Sequence, residues 1–153
     1  MPGKLRRAVV HDVKAMHAFI QEHARAQQML PRALNELYEH VRDFFLYEED
    51  GALKGLCALH VLWEDLAEVR SLAVRADVRR QGVGRALLRR CLREARQLGV
   101  RRVFALTYQP QFFLRMGFRE VEKGELPQKI WGDCVRCPKF PQCDEVAVIK
   151  EVL

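Results

Sequence analysis

The stretch of this 153-residue chain best equipped for chemistry is Ser71-Leu72-Ala73-Val74-Arg75-Ala76-Asp77-Val78-Arg79-Arg80-Gln81-Gly82-Val83-Gly84-Arg85-Ala86-Leu87-Leu88. An apolar strand runs into a turn with two glycines, and an amphipathic helix begins directly after it. Glycine lets the backbone come close to a ligand. The first N–H groups of a helix have no acceptor inside it, so they face outward with the positive end of the helix dipole behind them. The segment therefore reads as a phosphate cradle. It is not a Walker loop, because no Gly-Lys-Ser or Gly-Lys-Thr follows, and it is not G-x-G-x-x-G, because residue 87 is Leu.

A second group with chemical capacity is Cys134-x-x-Cys137-x-x-x-x-x-Cys143, followed by Asp144. The spacing of the first pair suits a zinc knuckle, with Asp133, Asp144 or a distant His as the fourth tetrahedral ligand. Structural zinc or iron at Cys134, Cys137 and Cys143 is one reading; reduced thiols and a redox disulfide are the others. Cys57 and Cys91 fall on apolar faces and read as core. Five cysteines without a secretion signal argue against a disulfide framework.

The elements that must position these groups follow from periodicity. Leu5 to Val10 reads as a strand, and Asp12 as the N-cap of a helix carrying Val13, Met16, Phe19 and Ile20. Pro31 opens a second helix with Leu34, Leu37, Tyr38 and Val41 on one face. Phe44 to Glu48, Asp50-Gly51 and Leu53 to Leu62 form a hairpin signal, with Gly55 a bulge or close-approach point. Ala67 to Val74 is a third strand, and period-two alternation sets Glu68, Arg70 and Leu72 on one face. The helix after Gly82 is stopped by Gly99. Val103 to Thr107 reads as a strand, Pro110 to Met116 as a short helix capped by Gly117, Phe118 to Val121 as a strand, and the segment from Val146 as the last one. Residues 122–144 form an irregular Cys-bearing segment. The order β, α, α, β, β, β, α, β, α, β, β argues for an α/β (α+β) fold with a mixed, mostly antiparallel sheet and helices on both faces.

Composition bounds the rest. At 153 residues the chain has room for a single domain over 1–153. A 49% hydrophobic and 30% charged balance excludes a disordered or fibrous chain. No apolar run is long enough to cross a bilayer, and the start MPGKLRRAVVHD lacks a secretory signal, so a cytoplasmic address and no membrane partner are expected. The net charge of +6 favours an anionic partner. Arg75, Arg79, Arg80, Arg85, Arg89, Arg90, Arg93 and Arg96 lie within 22 residues. No aromatic residues interleave with them, which weighs against nucleic acid. Arg79, Arg80 and Arg85 read as the rim of the phosphate site, and Arg89, Arg93 and Arg96 as a solvated helix face.

Arg79-x-x-Gly82-x-Gly84 after a strand and before a helix resembles the acetyl-coenzyme A motif of the GNAT N-acetyltransferase superfamily, and the order of elements resembles that fold over nearly the whole chain. The resemblance implies that Gln81, Gly82, Val83, Gly84 and Arg85 bind the pyrophosphate, with Arg79 and Arg80 beside them. It also implies that Leu72, Ala73 and Val74 pair with the pantetheine arm. Ala67-Glu68-Val69-Arg70 matches the place of the general base, so Glu68 is the expected catalytic carboxylate; the alternative is a solvated strand charge. An amine that is mostly protonated at neutral pH must lose a proton before it attacks a thioester, so a carboxylate in reach of it is needed. The superfamily's usual acid is a Tyr in Phe-Tyr-x-x-x-Gly-Phe. Here the run is Phe112-Phe113-Leu114-Arg115-Met116-Gly117-Phe118, and Phe113 departs from that pattern. Tyr108 is the nearest replacement, or else a packing residue with its hydroxyl at the surface.

Leu30-Pro31-Arg32, Glu36-Leu37-Tyr38, Ala58-Leu59-His60, Trp63 to Val74 and Val103 to Tyr108 further resemble the short, stand-alone bacterial N-acetylglutamate synthase type. That likeness implies acetylation of the α-amine of L-glutamate in arginine biosynthesis, with another amine (glutamine, a polyamine, an antibiotic or a protein N-terminus) or a non-catalytic coenzyme A-binding domain as alternatives. An acceptor with two carboxylates requires cations. Arg70, on the face of Glu68, and Arg32, in the helix-to-helix connection that walls the acceptor site in this superfamily, are the candidates for substrate binding; either reads otherwise as a surface Arg. The partners expected are acetyl-CoA and a small amine, with a homodimer left open.

Overall fold

The computed structural model describes residues 2–126, 136 and 144–153. The chain divides into two compact units, Met1–Leu59 with Val69–Glu94, and His60–Glu68 with Ala95–Leu153.

The first unit contains β1 (Lys4–Arg7), α1 (Val13–Arg25), α2 (Leu34–Glu39), β2 (Phe44–Glu49), most of β3 (Ala52–Trp63), the end of β4 (Leu66–Val74) and most of α3 (Val83–Leu98). Its core gathers Val13, Met16 and Ile20 of α1 with Leu37, Phe44 and Leu56, all fully buried. The spacing 13, 16, 20 places those three on one side of α1, and burial of each such side chain stabilises by roughly 1.5–3 kcal/mol. β1 pairs antiparallel with β2, from Lys4 opposite Glu48 to Arg7 opposite Phe45. β2 and β3 form an antiparallel hairpin closed by Asp50 and Gly51, which have φ of 51° and 76°. Two successive positive φ values match the twist of the flanking strands.

The second unit holds the end of β3, the start of β4, the last turn of α3, β5 (Arg102–Thr107), α4 (Pro110–Arg115), β6 (Arg119–Val121) and β7 (Val146–Glu151). Leu66, Phe104, Leu126, Ala147 and Ile149 form its core. β4 and β5 run parallel, with Leu66, Ala67 and Glu68 opposite Arg102, Val103 and Phe104. β7 lies antiparallel to both β5 and β6. The seven strands hydrogen-bond in the order β1-β2-β3-β4-β5-β7-β6, so the sheet is mixed and mostly antiparallel, as expected.

Three boundaries differ from expectation: α2 ends at Glu39, so Val41 falls in a separate 3-10 turn at Val41–Asp43 and not on the helix face, and the other two differ for identifiable reasons. The first strand stops at Arg7, because Arg6 grips Asp12 through Nη2 at 2.7 Å and Nη1 at 2.8 Å. Asp12 Oδ2 also accepts the Val9 N–H, which turns the chain out of the sheet into a 3-10 turn at Val10–Asp12. Asp12 is thus fastened to Arg6 and makes no side-chain cap on the helix. The second helix begins at Leu34 instead of Pro31, since Ala33 is extended and Arg32 is committed to contacts described below. Of the segment 122–144, a 3-10 turn at Lys123–Glu125 and the buried Leu126 lie within the described residues. Cys134, Cys137 and Cys143 lie outside them.

Candidate active site

The expected phosphate cradle is held from behind by the hairpin of the first unit. Between Tyr47 opposite Gly55 and Glu48 opposite Leu53 the register shifts, which leaves Lys54 as an extra residue in β3. The bulge frees the Lys54 backbone from the ladder, and its carbonyl accepts the N–H of Arg75 at 2.8 Å. Lys54 Nζ donates to Asp77 Oδ2 at 2.6 Å and, with help from Arg75, holds that carboxyl below its ordinary range. Backbone and side chain of one bulged residue therefore anchor the strap that leaves β4. The expectation of a bulge or close approach at Gly55 resolves into both, on neighbouring residues. A Cβ at Gly55 would lie 3.1 Å from Leu87 Cδ1, 3.3 Å from Val83 Cγ1 and 3.3 Å from the Ala73 carbonyl oxygen, so α3 packs on β3 closely enough that any side chain there would have to push its neighbours aside.

After the 3-10 turn at Ala76–Val78 the chain crosses into two left-handed residues, Arg80 at φ 66° and Gly82 at φ 82°. Gly82 closes the first turn of α3, its carbonyl accepting the Ala86 N–H at 3.0 Å. The N–H groups of Val83, Gly84 and Arg85 thus lie at the helix start, where no intrahelical acceptor exists. Arg79 folds back, its Nε donating to the Val74 carbonyl at 3.2 Å and its Nη2 to Gln28 Oε1 at 3.4 Å, so it braces the loop. Arg80 and Arg85 are exposed and have no ion-pair partner among the described residues. Outward N–H groups flanked by two exposed guanidinium groups fit a polyphosphate ester. Of the residues expected to form a plain solvated face, Arg89 and Arg93 are exposed. Arg96 is not spare, because its Nε donates to the Val152 carbonyl at 3.2 Å.

Along β4 the alternation expected from period two does not run through. Ser71 sits at φ 59°, in the left-handed region and inside the strand. The face shared by Glu68 and Arg70 therefore cannot be extended to Leu72 by counting, which corrects that expectation. A non-glycine residue so placed costs of the order of 1–3 kcal/mol and persists only when its surroundings hold it. Arg32 contributes to that hold, with Nη1 donating to Ser71 Oγ at 3.2 Å. The other edge of the guanidinium meets Glu36, Nη2 at 2.8 Å and Nε at 3.1 Å from the same oxygen, Oε1. Its carbon lies 5.2 Å from the centre of the Phe44 ring, and the side chain is only 9% exposed. Arg32 is thus a half-buried, oriented cation and not a plain surface arginine.

In the second unit, Glu68 is 4% exposed, which rules out the solvated-charge alternative. A carboxylate is rarely buried to this degree without a role in pairing or catalysis. Tyr108 is 37% exposed, and its hydroxyl donates to Asp144 Oδ1 at 2.7 Å. That bond links the end of β5 to the residue after Cys143. Phe113, where the superfamily has Tyr, is buried at the centre of an aromatic cluster, its ring edge-on to Phe118 at 5.2 Å and to Phe112 at 5.3 Å. The position serves packing. Cys57 and Cys91 are buried free thiols with sulfurs 3.4 Å apart, and burial raises the Cys57 thiol well above its usual range.

Four contributors escaped sequence reasoning. Lys54 and Asp77 are 23 positions apart, and nothing local couples them. The left-handed state of Ser71 has no signature in a strand-forming sequence. Glu36 did carry a signal, because Arg32 and Glu36 stand at i and i+4.

Comparison with known proteins agrees with this geometry. Residues 10–118 match the acetyltransferase (GNAT) family. The chain is 41% identical over 146 residues to an uncharacterised N-acetyltransferase of Chlorobaculum tepidum, covering 95% of this chain and 94% of that one. It is 37% identical over 135 residues to an amino-acid acetyltransferase of Mycobacterium tuberculosis, covering 86% and 77%. Among solved structures, a Mycobacterium tuberculosis protein in complex with CoA and a further ligand superposes with a TM-score of 0.83 at 31% identity, over 98% of this chain and 99% of that one. N-acetylglutamate synthase from Neisseria gonorrhoeae, complexed with coenzyme A and L-arginine, gives 0.76 at 25% identity, over 97% of this chain and 33% of that longer one. With its seven-stranded mixed sheet, its glycine turn at the head of α3 and these likenesses, the chain belongs to the GNAT acetyltransferase family, of the type found in N-acetylglutamate synthases, and is an acetyl-CoA-dependent N-acetyltransferase.

Proposed function

We propose that this enzyme acetylates the α-amino group of an amino acid, with L-glutamate as the acceptor, by direct attack of the amine on the acetyl thioester. The observation that carries the mechanism is Glu68, a buried carboxylate on the same strand that leads into the phosphate loop. Main-chain N–H groups from Gln81 to Arg85, with Arg80 and Arg85 beside them, would hold the pyrophosphate of acetyl-CoA, and Leu72, Ala73 and Val74 would pair with its pantetheine arm. Arg79 would act indirectly, by bracing the loop against Val74 and Gln28.

The incoming amino acid carries an ammonium group. Glu68 takes one proton from it, directly or through a water, and the freed lone pair forms the N–C bond as the C–S bond breaks; the nitrogen, cationic after attack, then loses its second proton to solvent to leave the neutral amide. The thiolate leaves with the electron pair of that bond and takes up a proton. Tyr108 is the protein's candidate donor for it, and Asp144 Oδ1 holds its hydroxyl proton beforehand. A thiolate is a good leaving group, so the step asks little of its acid. Arg70 and Arg32 supply the charge complementary to the acceptor's carboxylates.

The glutamate reading is supported by a 37%-identical relative named as an amino-acid acetyltransferase and by two arginines placed on or against β4. It is tested with a panel of amino acids and amines incubated with acetyl-CoA, following free thiol. Glutamate should turn over fastest among the amino acids, and Glu68→Gln should lower kcat by about 10²- to 10⁴-fold while acetyl-CoA still binds. Rapid turnover of a different amine with glutamate inactive would overturn the acceptor assignment. Near-normal kcat in Glu68→Gln would overturn the base.

A further inference from the structure

The contacts of Arg32 are uneven in a way that bears on acceptor choice. Both Nε and Nη2 converge on Oε1 of Glu36, at 3.1 and 2.8 Å. A carboxylate that used both oxygens, one on each nitrogen, would make the stronger fork-to-fork pair. The two partners also differ in freedom. The Arg32 side chain is 9% exposed, tied at Nη1 to Ser71 and set against the Phe44 ring, whereas that of Glu36 is 40% exposed and sits on the six-residue helix α2. Arg32 is the only partner of Glu36 among the described residues. If the pair opens, Glu36 is therefore the member that swings into water. Arg32 stays in place and presents a vacant edge of two N–H donors.

We propose that Glu36 is a specificity-determining residue, an internal carboxylate that occupies Arg32 until the side-chain carboxylate of the acceptor displaces it. This rests on the reading of Arg32 as an acceptor-binding residue and takes it as the partner of the side-chain carboxylate, with Arg70 left for the α-carboxylate. A dicarboxylic acceptor has to displace Glu36 and gains a two-oxygen pair in its place. An acceptor with a neutral side-chain amide cannot compete for the guanidinium and leaves Glu36 where it is. The exchange moves no covalent bond and no proton. It makes the discrimination between acidic and amide side chains a difference between two carboxylates competing for one fork.

The test uses the intact enzyme and the variants Glu36→Gln, Arg32→Ala and the double variant, with L-glutamate and L-glutamine as acceptors at saturating acetyl-CoA. Glu36→Gln keeps the size of the side chain and removes the competing charge. It should lower the KM for glutamate by about threefold to tenfold and leave the KM for glutamine within about twofold, with kcat little changed for both. In the Arg32→Ala background the same substitution should no longer favour glutamate, an outcome that a purely structural role for Glu36 would not produce. Equal shifts in the two KM values, an unchanged glutamate KM, or a glutamate gain that persists without Arg32 would each overturn the inference while leaving glutamate as the substrate. Turnover of neither amino acid by the unmodified enzyme would overturn the acceptor reading and this inference with it.

Discussion

Substituting Gly55 by Ala tests whether the glycine exists to let α3 sit against β3. Gly55 does not have the positive φ that would bar a side chain, so the perturbation is steric. The new methyl meets Leu87 Cδ1 at 3.1 Å, Val83 Cγ1 at 3.3 Å and the Ala73 carbonyl oxygen at 3.3 Å. The leucine tip can rotate, but the carbonyl belongs to β4 and cannot. The relief available is a shift of α3 by a few tenths of an ångström at Val83 and Leu87, the turn that carries the phosphate loop. Overpacking of this kind costs about 1–3 kcal/mol. The lower entropy of alanine in the unfolded chain offsets about 0.4–1 kcal/mol. With both terms at mid-range the net loss is about 1.3 kcal/mol, which for a domain of this size lowers Tm by about 3–5 °C. Thermal and urea unfolding measure the stability, and steady-state kinetics measure the rest. The KM for acetyl-CoA should rise several-fold, and the acceptor KM should change much less. Unfolding within about 0.5 kcal/mol of the parent together with an unchanged acetyl-CoA KM would refute the reasoning.

Other substitutions isolate other terms. Gly82→Ala places a methyl in open space at φ 82°, so its cost of about 1–2 kcal/mol is one of backbone conformation alone, and Gly82→Asn should lose less by urea unfolding. Arg70→Ala should raise the acceptor KM far more than that of acetyl-CoA; equal effects on both would remove Arg70 from the acceptor site. Arg6 holds the Asp12 and Glu48 carboxyls below their ordinary ranges through its hydrogen bonds. A carboxyl lowered by folding binds fewer protons in the folded than in the unfolded state. Its stabilisation is complete above about pH 5 and is lost as the pH falls through the lowered values. A plot of Tm against pH should drop steeply below about pH 4, and Arg6→Ala should flatten that acid limb; an unchanged slope would remove the cluster from acid stability.

Much of the fold was legible because it rests on short-range rules. The 3.6-residue spacing of Val13, Met16 and Ile20, the Asp50-Gly51 turn, and Gly99 and Gly117 with φ of 82° and 92° at helix ends are each determined within a few residues. The candidate phosphate loop was legible for the same reason, since glycine turn, helix start and flanking arginines are contiguous in the chain. The boundaries that moved did so through contacts the local pattern does not contain. Arg6 on Asp12 cut the first strand short, and Arg32 on Ser71 accompanies the late start of α2.

The candidate residues for acetyl transfer, a glycine turn proposed for the phosphates and Glu68 proposed for the proton, came from the sequence alone, because chemistry is carried by side-chain identity and close spacing. Only the tertiary structure decided how those groups are held. The burial of Glu68 follows from the packing of β4. The left-handed turn of the strand at Ser71, braced by Arg32 from 39 residues away, and the Lys54 bulge that anchors Asp77 likewise depend on long-range contacts. Such contacts form between residues far apart in the chain, and the free energy that fixes them comes from the fold as a whole.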